Sequence, residues 1–195
     1  KYFEKYNKMK RTYEALSKLT LEVKEEIEHL ESIGTALDIA AGEEDLVQIR
    51  EELVESGYIR RKGSDKKVKI TSRPFHYISS DGYHMYVGKN NYQNDELTFR
   101  FAAGNDWWFH AKSFPGSHVI VKAGKEELPD RTFEEAAKLA AYYSKARNQD
   151  KVEIDYTEKK NVKKPNGGKP GFVVYYTNYS MVMDSDISGL VLVKE

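Results

Sequence analysis

A heptad pattern in the first forty residues constrains the fold of this chain more than any other feature. Large apolar or aromatic residues fill nine of eleven positions spaced alternately four and three residues apart, and mostly Lys, Glu, Ser and Asn lie between them. Such spacing is typical of a coiled-coil helix whose seam needs a partner helix. An amphipathic helix lying on a globular core is the alternative. The eleven positions are Tyr2, Tyr6, Met9, Tyr13, Leu16, Thr20, Val23, Ile27, Leu30, Gly34 and Leu37.

The segment after the heptads predicts a second, shorter helix. Gly34 and the stretch 42–45 are expected to interrupt the first helix. Acidic residues begin the segment from about 43 to 55 and Gly57 follows it, a pattern typical of a helix start and end. We therefore assign residues 1–58 to a coiled-coil arm with a short second helix, and residues 59–75 to a polar, basic linker.

Short strand patterns fill residues 76–195 and predict an α+β domain. The sheet is expected to be antiparallel, with one main helix from Thr132 to about Arg147, and the helical coiled-coil arm precedes it. Thr132 and Glu135 have the spacing of a capping box at the start of that helix. The predicted strands cover 76–79, 84–87, 107–112, 118–122, 151–157, 172–177 and 190–193, and the first two flank an Asp81-Gly82 turn.

The composition excludes several classes of protein. The chain has no cysteine, which excludes disulfide scaffolds, zinc–thiolate sites, iron–sulfur clusters and thiol catalysis. No run approaches the roughly 18–20 apolar residues of a membrane span, so no membrane insertion is expected. No signal peptide follows Lys1, and a chain that begins with lysine is expected to be a fragment.

The polar residues give little support for catalysis. No His-Glu-x-x-His motif is present, and no two histidines lie four residues apart on the main helix. Ser117 and His118 are neighbours on a predicted strand, so their side chains point to opposite faces and do not form a dyad. We therefore expect no metal, no cofactor and no enzymatic activity.

The charge distribution points to a polyanionic partner for the second part of the chain. The net charge is zero, with 31 basic and 31 acidic residues. Residues 1–56 carry 8 basic and 14 acidic side chains, whereas residues 57–195 carry 23 basic and 17 acidic ones. Only the second part has the excess of positive charge that favours binding to polyanions.

A predicted strand over 107–112 carries the first candidate binding surface. Side chains alternate along a strand, so Trp107, Phe109 and Ala111 are assigned to the core. The other face presents an acid, an indole, an imidazole and an ammonium group in one row, which we interpret as an RNA-binding surface. A cross-strand ion pair beside an ordinary aromatic ring is the alternative. The row consists of Asp106, Trp108, His110 and Lys112.

Two shorter segments offer further polar groups. The turn 114–118 has backbone N–H groups and the Ser117 hydroxyl, which can hold one phosphate, although a plain tight turn fits equally well. The amide-rich stretch 87–95 contains Lys89, Asn90 and Asn91. Its amides can cap a helix that begins near Gln93, or they can bond base edges, and the spacing leaves both possibilities open.

A lysine-rich loop over 159–170 is the last candidate. It has five lysines and no acid, a composition that attracts phosphate backbones when the loop is mobile, and Arg147 is expected near its base. A solvated hairpin loop is the alternative. The lysines are Lys159, Lys160, Lys163, Lys164 and Lys169.

Several of these strings, in this order, resemble the carboxy-terminal domain of NFACT proteins, called NFACT-R. The resemblance covers about residues 76–183, and residues 2–58 are similar to the second arm of that family's middle coiled coil. One departure is the stretch 181–187, which lacks the small, proline-bearing ending of the family. The strings are VGKNN at 87–91, QND at 93–95, DWWFHAK at 106–112, PGSH at 115–118, AAYYSKAR at 140–147, VKKP at 162–165 and KPG at 169–171.

This resemblance implies partners and a process. NFACT proteins bind the large ribosomal subunit that carries a stalled, tRNA-linked nascent chain, and bacterial members promote alanine tailing of that chain. The seam would then pair with a first coiled-coil arm that this chain lacks, or with a second copy in a homodimer. The implied location is cytoplasmic. Some relatives are described as adhesins for fibronectin or fibrinogen, which leaves a cell-surface role as the alternative.

Overall fold

Two helices open the chain in a computed structural model that describes residues 1–61, 70–125 and 127–193. Helix α1 spans Tyr2–Ile39 and helix α2 spans Glu43–Glu55. The chain divides into two compact units, Lys1–Glu31 and Ser32–Glu195. The predicted helix α2 is confirmed, and residues 62–69 of the predicted linker lie outside the described residues.

The predicted interruption at Gly34 is wrong, because α1 continues through this residue to Ile39. A glycine inside a helix costs only about 1 kcal/mol relative to alanine. Ile33 and Ala36, on either side of Gly34, are buried in a cluster with Ile49 of α2. This packing between the two helices holds the last turns of α1 in place.

Seven strands form one antiparallel sheet behind these helices, and the predicted α+β class is confirmed. Their order across the sheet is β6-β5-β3-β4-β2-β1-β7. The register places His76 opposite Tyr86 and Trp108 opposite Ile120. The strands are β1 (Phe75–Ile78), β2 (His84–Val87), β3 (Trp107–Ala111), β4 (Val119–Val121), β5 (Val152–Glu158), β6 (Tyr179–Met183) and β7 (Val191–Leu192).

Helical segments and a loop cover the two faces of the sheet. Helix α4 (Asp130–Tyr142) packs on one face through its alanines and Leu139, against Phe109, Val119 and Ile154. The π-helical turn Leu97–Phe101 and residues 162–175 cover the other face, and helix α3 (Asn91–Glu96) leads into that turn. Because both faces are covered near the centre of the sheet, β4 is an uninterrupted apolar run.

Two local predictions in this domain are wrong. Residues 172–177 form no strand and make a single bridge, between Lys163 and Val174, because β5 pairs with Tyr179–Met183 instead. The capping box at Thr132 is absent, because α4 already begins at Asp130, after Pro129. The Thr132 hydroxyl instead donates to the Asp81 carboxylate at 2.9 Å.

Candidate nucleic-acid interface

Asn90 and Asn91, for which the sequence left helix capping and base-edge contacts open, bond other helices of the protein. Asn90 caps α3 by accepting from the Gln93 N–H at 3.0 Å, and its own amide donates to Gln48 Oε1 at 2.9 Å. The Asn91 amide donates to Glu52 Oε1 at 2.7 Å and to Ser32 Oγ at 2.8 Å. Both asparagines are buried, so the capping alternative is the one that the structure shows.

Lys89 belongs to the same joint between α2 and α3. Its Nζ lies 3.2 Å from Asp45 Oδ1 and 4.5 Å from the centroid of the Phe75 ring, and 11% of the side chain is exposed. Burial favours a raised pKa for Asp45, but hydrogen bonds from Ser72 and the Ala41 N–H, together with Lys89, lower it. This ammonium group is therefore engaged within the protein.

The turn 114–118 offers no free groups for a phosphate at Ser117. The Ser117 hydroxyl donates to the Gly88 carbonyl at 2.5 Å, and its N–H donates to the Tyr143 carbonyl at 2.8 Å. Gly116 passes so close to Ser144 that an added Cβ would lie 2.8 Å from the Ser144 Cβ. The turn therefore packs against the end of α4, in agreement with the plain-turn alternative.

Only part of the predicted row of Asp106, Trp108, His110 and Lys112 lies on the protein surface. Trp108 is fully buried with Leu97, Ile120 and Val162, and Asp106 is 1% exposed. The Asp106 carboxylate accepts from the Ala103 N–H at 2.7 Å and pairs with Lys122. The expectation that Trp108 lies on an open face is wrong, because the π-helical turn and residues 162–175 cover that face.

The remaining two residues of the row differ in their surroundings. The His110 ring lies 5.7 Å from the Trp108 ring and 5.4 Å from the His118 ring. Burial lowers the pKa of His110 to about 4, although the nearby Asp155 opposes this shift. Lys112 lies on the surface, where its Nζ is 2.5 Å from Glu153 Oε1, as the ion-pair alternative predicts.

Two lysines of the lysine-rich loop contact residues outside the loop. Lys164 Nζ lies 2.7 Å and 2.9 Å from the two carboxylate oxygens of Asp95 and donates to the Lys169 carbonyl. Asp95 also accepts from the Gly171 N–H at 2.9 Å. Lys169 Nζ lies 3.3 Å from the Tyr58 hydroxyl. The loop is thereby fastened to α3 and to the end of the helical pair.

Few candidate cations remain available to an external partner. Arg147 Nη2 lies 3.6 Å from Asp38, Lys160 pairs with Glu158, and Lys159 lies 5.9 Å from the Phe99 ring. Lys163 is exposed and forms no ion pair with any residue that the structure describes. Lys112 and Lys160 are exposed as well, but Glu153 and Glu158 pair with them, so Lys163 is the candidate lysine whose charge is exposed and unpaired within the described residues.

The sequence did not predict a row of aromatic rings on β1, β2 and the π-helical turn. The His76 ring stacks 4.6 Å from the Tyr86 ring and 5.0 Å from the His84 ring, and Phe101 lies edge-on 4.7 Å from Tyr86. We call these four residues the aromatic ladder. It lies on the same sheet face as Trp108, but His84 is exposed and Phe101 is 43% exposed. The feature of the sequence that could have indicated this row is the alternation of His76 and Ile78 with Tyr77 along the strand.

The structure adds two negative findings for the residues that it describes. No group of three or more His, Asp or Glu side chains there could hold a metal ion. No helix in the same part of the chain is long and apolar enough to cross a membrane.

Two family models match this chain. Residues 73–191 match the model of the NFACT protein RNA binding domain, and residues 1–72 match that of the NFACT N-terminal and middle domains. The chain belongs to the NFACT family. Within this family, the match to the RNA binding domain covers the whole of the sheet except the last residue of β7.

The relatives of this NFACT chain include proteins named Rqc2 homolog RqcH. The protein from Streptococcus suis is 46% identical over 90% of this chain, and the one from Bacillus subtilis is 39% identical over 100% of it. The chain spans 31% and 34% of the lengths of these two relatives. A solved structure, the C-terminal part of the fibronectin/fibrinogen-binding protein from Streptococcus suis, superposes with a TM-score of 0.88 at 42% identity. That match covers 96% of this chain and 74% of the other.

Proposed function

We propose that this chain is the RNA-binding part of a cytoplasmic ribosome quality-control factor and contributes binding rather than catalysis. The match of residues 73–191 to an RNA binding domain carries this proposal. The names of the Streptococcus and Bacillus relatives support the quality-control role. In the whole protein, the chain would contact the large ribosomal subunit and tRNA and so promote alanine tailing of the stalled nascent chain.

The side of the sheet opposite α4 presents two kinds of group that can contact RNA. Lys163 is exposed and unpaired among the described residues, and it can follow a phosphate backbone. The aromatic ladder presents the His84 ring and the Phe101 edge, on which unpaired bases can stack. Phosphate contacts of this kind depend on salt, whereas stacking does so much less.

The proposal is tested by titrating a labelled single-stranded oligouridine with the 195-residue chain over a series of salt concentrations. We expect Lys163→Ala to flatten the slope of log affinity against log salt by about 0.7, the value for one phosphate contact on a single strand. His84→Ala should weaken binding about fivefold or more while leaving the slope unchanged. Absence of oligouridine binding by the unaltered chain would contradict the RNA-binding role.

A second candidate function is binding to fibronectin or fibrinogen, which the name of the solved Streptococcus suis structure supports. An adhesin contact that is not electrostatic would tolerate salt and the Lys163→Ala change. Immobilised fibronectin should therefore capture the chain and its Lys163→Ala variant equally at low and high salt if this function is the correct one. Capture that disappears at high salt would favour the polyanion-binding function instead.

A further inference from the structure

A cleft of about 740 Å³ opens on the α4 side of the sheet, and the RNA proposal does not use it. Its floor is a set of four neighbouring aromatic rings, from Trp107, Phe133, Tyr156 and Tyr179. The Trp107 centroid lies 4.7 Å from that of Phe133, 5.9 Å from Tyr156 and 6.3 Å from Tyr179. Tyr179 is 59% exposed, so the floor is open to a ligand at this ring.

The charges around this aromatic cleft are mainly negative. Glu127, Asp130 and Glu134 line it, are exposed, and form no ion pair with another residue that the structure describes. Glu158 also lines it but is neutralised by Lys160. Lys125 is the cation among the lining residues. Three unpaired carboxylates against one ammonium group make the cleft unsuited to a polyanion.

The negative charge of Asp130 acts on one of the aromatic rings of the cleft, Tyr156. Burial raises the pKa of Tyr156, and the neighbouring Tyr179 and Asp130 raise it further. The π-faces of aromatic rings attract cations, and a carboxylate beside them strengthens the preference for a guanidinium or ammonium group. The chemistry of the cleft therefore complements a positively charged ligand.

We propose that the aromatic cleft binds a basic peptide segment of a partner protein, with an arginine or lysine side chain over the rings. Its volume lies in the range of about 300–1,000 Å³ that is usual for ligand sites. Tyr179 and Met181 of β6 belong to its lining, and β6 is the last strand on that side of the sheet. An extended peptide can therefore lie along β6 and direct alternate side chains into the cleft.

The intrinsic fluorescence of the 195-residue chain tests this proposal. The sequence has two tryptophans, and Trp107 lies in the cleft while Trp108 is buried on the other face. Titration with a hexa-arginine peptide should change the emission, and Trp107→Phe should remove that change. The double variant Glu127→Gln/Glu134→Gln should weaken peptide binding about fivefold or more, because it removes two charge contacts. A hexaglutamate peptide should give no change.

A matched control separates the cleft from general attraction to acidic residues. Glu25→Gln/Glu26→Gln removes the same charge from two exposed positions on α1 outside the cleft lining, and it should leave the fluorescence titration unchanged. Equal weakening by both double variants would overturn the proposal. A fluorescence change that oligouridine produces and Trp107→Phe removes would also overturn it, because the cleft would then stack bases.

Discussion

Trp107 and Trp108 are neighbours in the chain and lie on opposite faces of β3. Trp107 lies on the α4 face and is half-buried beside Phe133, whereas Trp108 is fully buried between β4 and the loop that ends at Tyr175. The Trp108 Nε1–H donates no hydrogen bond within the part of the chain that the structure describes. An unpaired buried donor costs about 1–3 kcal/mol, so the packing of this indole outweighs a polar penalty.

Trp108→Ala is expected to lower the free energy of unfolding by about 3–5 kcal/mol, because it leaves a large cavity under residues 162–175. Trp108→Phe should cost less, since it keeps most ring contacts and removes the unpaired N–H. Urea unfolding followed by circular dichroism measures both changes. A loss of less than about 1 kcal/mol for Trp108→Ala would show that the loop collapses into the space.

Glu52 gives the chain a pH-dependent stability. Burial raises its pKa from 4.5 to about 7, and the charges of Asp95 and Glu55 add to this, although the hydrogen bond from Asn91 opposes it. At pH values between these two pKa values, the folded chain holds a proton that the unfolded chain has released. The contribution of Glu52 to stability is therefore complete below about pH 4.5 and is lost as the pH rises through 7.

Glu52→Gln should remove this pH dependence, because glutamine stays neutral in both states. The difference in unfolding free energy between variant and parent should change by about 3 kcal/mol from pH 4 to pH 8, in favour of the variant at high pH. Denaturant unfolding at both pH values gives this difference. Parallel pH profiles would mean that Glu52 titrates normally.

At the scale of elements, the loop 159–171 covers part of the sheet and is anchored to α3. The Lys164–Asp95 pair and the Gly171 N–H bond tie it to α3, and Gly171 has a φ of 82°, a backbone conformation that favours glycine. An added Cβ there would lie 2.5 Å from Asn91 Oδ1. The loop is therefore held by a few side chains together with the backbone bridge between Lys163 and Val174.

Lys164→Ala should destabilise this cover by about 1–3 kcal/mol, because it leaves the partly buried Asp95 without its cation. Hydrogen exchange at the Gly171 amide should become faster as the loop opens. Lys163→Ala is the matched control, since Lys163 is exposed and makes no ion pair within the described residues. Equal exchange rates in the two variants would show that Lys164 does not hold the loop.

The sequence predicted elements better where the controlling contacts are local. Strands β1 and β2 follow from the Asp81-Gly82 turn between them, and α2 follows from its acidic first turn. Residues 172–177 are equally rich in strand-forming side chains. They follow the anchored loop directly, and β5 pairs with the next segment, 179–183, instead. An asparagine suits a contact with RNA as well as a contact with Glu52, so the residue type of Asn91 does not predict its partner. Glu52 is also 39 residues away in sequence, so neighbouring residues do not reveal the contact.

At the scale of the whole molecule, the seam of α1 is exposed along residues 2–30. Tyr6 is 62% exposed, Tyr13 is 73% exposed and Ile27 is 51% exposed. Exposed heptad seams gain stability when a second helix covers them. The seam is therefore expected either to pair with a second copy of the chain or to remain partly unfolded when isolated.

Light scattering and circular dichroism test this expectation. The average mass should rise with concentration, and Leu16→Glu on the seam should abolish the rise, because a charge would be buried between the helices. Ser17→Glu, one position away from the seam, is the control that should leave the rise intact. A monomer at every concentration whose first 33 residues are fully helical would contradict the expectation.

The buried amide joint between α2 and α3 has a consequence for how relatives diverge. Asn90, Asn91 and Gln93 hold this joint together, so a mutation at any of them lowers the free energy of unfolding. An exposed residue such as Glu25 makes no such contribution. Relatives are therefore expected to differ more often at exposed charges of this kind than at the three buried amides.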